Sequence, residues 1–88
     1  SMSSNDYKSA LKEGKQIIWG GDGYDLYDYD EKTGGRGKIC SENGGSHAMS
    51  VTDVTENGDL VVSSWGNKYI LDTSNSNSQD VTIIDLDI

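Results

Sequence analysis

The stretch from Gly45 to Asp72, GSHAMSVTDVTENGDLVVSSWGNKYILD, constrains the fold more than any other. Apolar and polar residues alternate from Ala48 to Val54, the period-two signature of a half-buried strand. Glu56-Asn57-Gly58 follows as a turn whose glycine can take positive φ, and Leu60 to Ser63 returns as a second strand. Ser64-Trp65-Gly66 then leads into a third short run, Lys68 to Leu71. A chain patterned in this way folds around an antiparallel meander. Its single histidine, His47, stands at the entry of that meander and Trp65 at its first exit.

The flanks add one helix and further strands. Ser3 to Asn5 offers an N-cap, Asp6 suits the first turn, Tyr7, Ala10 and Leu11 fall on one face, and Gly14 can close the helix. Gln16 to Trp19 reads as a strand with Ile17, Ile18 and Trp19 inside. Between Gly20 and Ser46 the pattern weakens. Gly20-Gly21-Asp22-Gly23 is a turn, and Tyr24 to Tyr29 alternates imperfectly as an edge strand or ribbon. Gly34-Gly35-Arg36-Gly37 interrupts regular structure, Lys38-Ile39-Cys40 is a short strand, and Gly44-Gly45 frees the chain before His47. Thr73 to Gln79 is a Ser/Asn-rich loop, and Val81 to Asp87 is a last strand whose apolar residues divide between its faces. The expected architecture is a single α+β domain over residues 1–88, a short N-terminal helix packed on a twisted antiparallel sheet of four to six strands. Ser1-Met2 reads as a cloning remnant and a start codon and is set aside.

Composition narrows the function classes. A domain of 88 residues buries only about 60–65% of its unfolded surface, and with 33% apolar residues and no Phe the core is thin. Such a chain leans on a partner or on a second copy, and a homodimer or domain swap through open sheet edges is expected. The net charge of −8 repels phosphate backbones and anionic membranes, and no basic stripe counters it, so neither nucleic acid nor a membrane is an expected partner. One cysteine forms no internal disulfide, which leaves the redox compartment open; the mature part of a secreted or cell-surface bacterial protein has the same profile.

A histidine heading a strand, a hairpin, and then Ser63-Ser64-Trp65-Gly66 resembles the C-terminal half of papain-like cysteine peptidases, most closely the bacterial bacteriocin-leader-peptidase-like branch. The resemblance extends to Tyr7–Trp19, where a helix leads into an apolar strand, and covers about two thirds of the chain. It implies the barrel half of a papain-like fold, in which His47 is the general base. The residue two before the tryptophan, Ser63 here, stands where the family has the Asn or Asp that orients the imidazole. The two positions are 16 residues apart, a spacing that the family uses. It further implies that Trp65 and Gly66 pack over that orienting contact and shield it from water. The family's nucleophile opens a helix in an N-terminal half behind an oxyanion-hole glutamine, so the thiol is expected from outside these 88 residues. If the hairpin loop has an odd number of residues, Ser63 shares a face with His47. Its hydroxyl then accepts from Nδ1–H and leaves Nε2 as the base.

Cys40 is the alternative nucleophile, seven residues from His47 across a glycine-rich link, although no helix N-terminus is expected there to lower its pKa. Asp53 is a second carboxylate near the base and reads as solvated. The acidic-aromatic run Asp22–Glu31 lacks the ligand spacing of a calcium loop, and no glycine loop has a Walker-type lysine or a strand-glycine-helix context for phosphate, so neither a metal nor another cofactor is expected. If that run borders the cleft, Tyr24 and Tyr27 line a peptide-binding surface whose acids favour basic segments. Two functions compete. One is a cysteine peptidase-like hydrolase or acyl-transfer domain, inactive as this chain alone. The other is a non-catalytic module that keeps the fold and binds a peptide or protein.

Overall fold

The computed structural model describes residues 2–86 and consists of one helix followed by seven strands. Helix α1 (Ser4–Lys12) begins on a capping box: Ser3 Oγ accepts from the Asp6 N–H at 3.2 Å, and the Asp6 carboxylate accepts from the Ser3 N–H at 2.9 Å. It ends where Lys15 N–H reaches the Ala10 carbonyl and Gly14 N–H reaches that of Leu11, closing a Schellman turn. Tyr7 and Ala10 form its buried face.

The strands are β1 (Gln16–Gly21), β2 (Asp25–Asp30), β3 (Gly35–Ser41), β4 (His47–Val54), β5 (Leu60–Ser64), β6 (Asn67–Asp72) and β7 (Gln79–Ile84). They form one antiparallel sheet in the order β3-β2-β6-β5-β4-β1-β7. The links force this sheet to roll. A flat sheet would hold β1 and β2 four strand spacings apart, about 19 Å. The four residue steps from Gly21 to Asp25 reach only about 14 Å.

Inside the roll, Ile17, Trp19, Leu26, Met49, Val51, Val62 and Leu71 pack with Tyr7 and Ala10 of the helix. Trp19 is completely buried; its indole N–H donates to Gln79 Oε1 at 3.1 Å and its ring meets Tyr24 edge-on. On the other face Val61 and Ile70 are buried outside this cluster. Arg36 lies over the Tyr27 ring there, 4.7 Å from its centre, and spans Asp59 (two contacts of 3.1 Å) and Asp72 (3.3 Å). The two carboxylates stabilise the charged guanidinium and push its pKa up.

The helix and the central meander follow the sequence pattern, and other details differ: β1 runs on through Gly20 and Gly21, which the pattern places in a turn, and Ile18 is only half-buried. The sheet has seven strands rather than four to six. Gly35 to Gly37 belong to β3 instead of interrupting it. The Tyr24–Tyr29 segment yields β2, which has a neighbour on each side and is not an edge. The last strand covers Gln79–Ile84 rather than Val81–Asp87; Asp87, like Ser1, lies outside the described residues. No helix among the described residues is long and apolar enough to cross a membrane.

Candidate functional site

Strand parity builds the site. Val54 and Val51 are both buried, yet they are three residues apart, and a regular strand would turn them to opposite faces. The strand resolves this with a bulge. β4 and β5 pair Val54 with Leu60 and Asp53 with Val61, then skip Thr52 and pair Val51 with Val62 and Ser50 with Ser63. From there His47, Met49 and Val51 share the inner face with Val62 and Ser64, while Ser63 turns outward with Ser50.

His47 therefore meets Ser64 and not Ser63. Its Nε2 lies 3.0 Å from Ser64 Oγ in a half-buried hydrogen bond. The link from Thr55 to Asp59 has five residues, an odd number that in an unbulged hairpin would keep Ser63 on the face of His47 but set it opposite Val51. The extra residue at Thr52 turns Ser63 to the other face and brings Ser64 to the inner face in register with Met49. The ring nitrogen differs as well: a serine is expected at Nδ1, and Ser64 engages Nε2. Ser64 carries no charge, so it fixes the ring's orientation without stabilising an imidazolium as a carboxylate would.

Above the imidazole lies Trp65, its ring nearly parallel (5°) with centroids 5.0 Å apart. Tyr69 meets the indole edge-on at 6.3 Å. Trp65 and Gly66 are the two central residues of the β5–β6 hairpin, with φ of 50° and 77°. That is the turn geometry in which Asn-Gly is the favoured pair, and a tryptophan there sits in a left-handed conformation that costs about 1–2 kcal/mol. Trp65 does not pack into the interior: it is 70% exposed, and Gly66 completes a turn. A side chain in a two-residue hairpin tip has no strand above it to bury it. The imidazole is shielded on one face only.

The approach to His47 is also shaped by glycines. Gly21 is its cross-strand partner on β1. In the link before β4, Gly44 exchanges backbone hydrogen bonds with Gly23 and Tyr24, and a Cβ at Gly44 would collide with the Tyr24 ring. Gly44 is thus a close-approach position rather than only a flexible one.

Cys40 lies elsewhere. It is on β3, and β2, β6 and β5 stand between that strand and β4 in the sheet. Its thiol donates to Asp28 Oδ1 at 2.8 Å, and this hydrogen bond to a carboxylate pushes the thiol pKa up, the opposite of what a nucleophile needs. Asp53 is exposed and accepts from the Val54 N–H at 2.8 Å. Tyr24 is buried against Trp19, and Tyr27 lies under Arg36, so neither lines an open surface. Ser64 and Tyr69 were missed. The signal for Ser64 is the Val51–Val54 spacing, and the signal for Tyr69 is the two-residue turn that aligns it with Val62 across the hairpin. Among the described residues no three His, Cys, Asp or Glu side chains gather as a metal site requires.

Set against known protein families, curated proteins and solved structures, the chain matches none of them.

Proposed function

We propose that this chain is the base-bearing half of a papain-like cysteine peptidase-like fold. In this reading His47 serves a thiol carried by another segment or another chain, in hydrolysis or transfer of a peptide acyl group. One observation carries the reading. The imidazole is held at Nε2 by Ser64 and covered by Trp65, which leaves Nδ1 as the one ring nitrogen positioned to accept a proton. The order of elements, with a helix, an apolar strand, a histidine-led strand and a hairpin closing on Ser-Trp-Gly, supports the same reading.

In this chemistry Nδ1 takes the thiol proton and the thiolate attacks the peptide carbonyl. The imidazolium returns the proton to the departing amine, and His47 then activates the water or amine that opens the thioester. Cys40 has no part in it, because its thiol is committed to Asp28 three strands away. A second reading, a non-catalytic module that binds a peptide or protein, is favoured by the uncharged orienter Ser64 and by the exposure of Trp65, which suits an aromatic anchor.

The test is labelling of the complete gene product, together with the polypeptides that copurify with it, by a peptidyl acyloxymethyl ketone, which alkylates activated thiols. The expected result is neutral-pH labelling of a cysteine other than Cys40, abolished in His47→Ala and slowed in Ser64→Ala but not in Ser63→Ala. Labelling indifferent to His47, or no labelling, overturns the peptidase reading and leaves the module.

A further inference from the structure

A groove of about 600 Å³ opens beside the Trp65–Gly66 turn, where the start of β6 meets the end of β2. Tyr29 and Tyr69 are among the residues that line it, with Asp28 and Glu31 as its acidic residues; Asp28 and Tyr69 are cross-strand partners on one face of the sheet. Tyr69 touches Trp65, which in turn lies on His47, so the groove is continuous with the histidine site through two aromatic contacts. It takes the place of Tyr24 and Tyr27 as the aromatic surface of the acidic segment.

The groove's chemistry identifies its occupant. Lys68 Nζ already lies 4.5 Å from the centre of the Tyr29 ring, so this wall holds an ammonium group of the chain's own. With Asp28 and Glu31 against Lys68, the lining keeps an excess negative charge, on a chain whose net charge is −8. Cys40 uses only Oδ1 of Asp28, which leaves Oδ2 for a cation. An anionic or purely aliphatic side chain would meet repulsion or unpaired carboxylates there.

We propose that this groove binds a lysine or arginine side chain of a peptide whose backbone passes Trp65 toward His47. The position of the scissile bond rests on the peptidase reading; the binding does not. The groove then acts as a selectivity subsite, with cation–π contact to Tyr29 or Tyr69 and ion pairing to Asp28 and Glu31.

The experiment uses three capped pentapeptides, Gly-Gly-Lys-Gly-Gly and its Glu and Ala counterparts, titrated into the chain at low ionic strength. Binding is read from Trp65 fluorescence and from the amide shifts of Gly66 and Tyr69. The lysine peptide should bind about tenfold more tightly than the alanine peptide, and the glutamate peptide most weakly. About 0.5 M salt should remove most of the difference. Asp28→Asn with Glu31→Gln, which keeps an oxygen acceptor for Cys40, should abolish the preference. Lys68→Ala, which frees the Tyr29 face, should tighten the lysine peptide severalfold. Equal binding of the three peptides, a preference that survives the double substitution, or weaker binding in Lys68→Ala overturns the proposal. Because the readout needs no turnover, a lysine preference without activated-thiol labelling means that only the peptidase reading has failed. Labelling without a lysine preference means that only the groove assignment has failed.

Discussion

Trp65 offers a direct measure of how the site trades stability for an exposed aromatic surface. Replacing it by Asn puts the favoured residue into a two-residue turn whose φ is already 50°. Relief of the left-handed strain returns about 1–2 kcal/mol. Against this stand two aromatic contacts, to His47 at 5.0 Å and to Tyr69 at 6.3 Å. Pairs of this kind contribute about 0.5–1.5 kcal/mol each, and with 70% of Trp65 in solvent the lower end applies, about 1 kcal/mol in all. The two effects nearly cancel, so Trp65→Asn should lie within about 1 kcal/mol of the parent, a Tm change of no more than about 8 °C for a domain of this size. Urea unfolding followed by circular dichroism and by the emission of buried Trp19 gives the number. A loss beyond about 2 kcal/mol would refute the reasoning, because it would make Trp65 a core residue and not a strained surface group. Trp19→Ala supplies the contrast: it empties a fully buried site and should cost about 3–5 kcal/mol.

Four further expectations follow. Alkylation of Cys40 by iodoacetamide should be slow at neutral pH and should rise only above the ordinary thiol range of about 8.5, since the Asp28 hydrogen bond disfavours the thiolate; Asp28→Ala should shift the profile to lower pH, and His47→Ala should leave it unchanged. Removing the clamp in Arg36→Ala should cost about 1 kcal/mol at neutral pH and low salt, less as salt rises, read by urea unfolding. The Asp72 pKa is held down by the backbone and hydroxyl of Ser74 and then by Arg36, so its contribution is present above the unfolded value of about 3.9 and is lost as pH falls through the folded one; Arg36→Ala should shrink that acid limb without removing it. Strand β7 is a sheet edge with Ile83 and Ile84 exposed, so light scattering should detect a dimer that grows with concentration and salt; a monomer throughout would refute pairing through this edge.

Sequence pattern and structure agree wherever a local rule decides. The Ser3–Asp6 capping box, the Gly14 closure and the strands of the meander each follow from residues within a few positions of one another. They diverge where tertiary context decides. Gly35 to Gly37 look like a break, yet cross-strand pairing with β2 holds them extended, and a Cβ at Gly37 would press on the Asp28 backbone. The position of β2 inside the sheet depends on strands that arrive about forty residues later in the chain. At the site, His47 and the Ser-Ser-Trp-Gly run are visible at once, but which serine faces the ring depends on a bulge that no turn residue announces. Trp65 is apolar and aromatic, and only the turn length reveals that it must stand in solvent.

That bulge joins two properties of the chain that are usually inherited separately. Hiding Val51 and Val54 together requires the extra residue at Thr52, and the same residue hands the imidazole to Ser64. Selection for a well-filled interior is therefore also selection for the histidine's partner. A drift to strict alternation in β4 would reassign the partner without altering any residue of the site. A lineage comparison that fixes the partner by counting back from the tryptophan would credit a hydroxyl on the wrong side of the sheet.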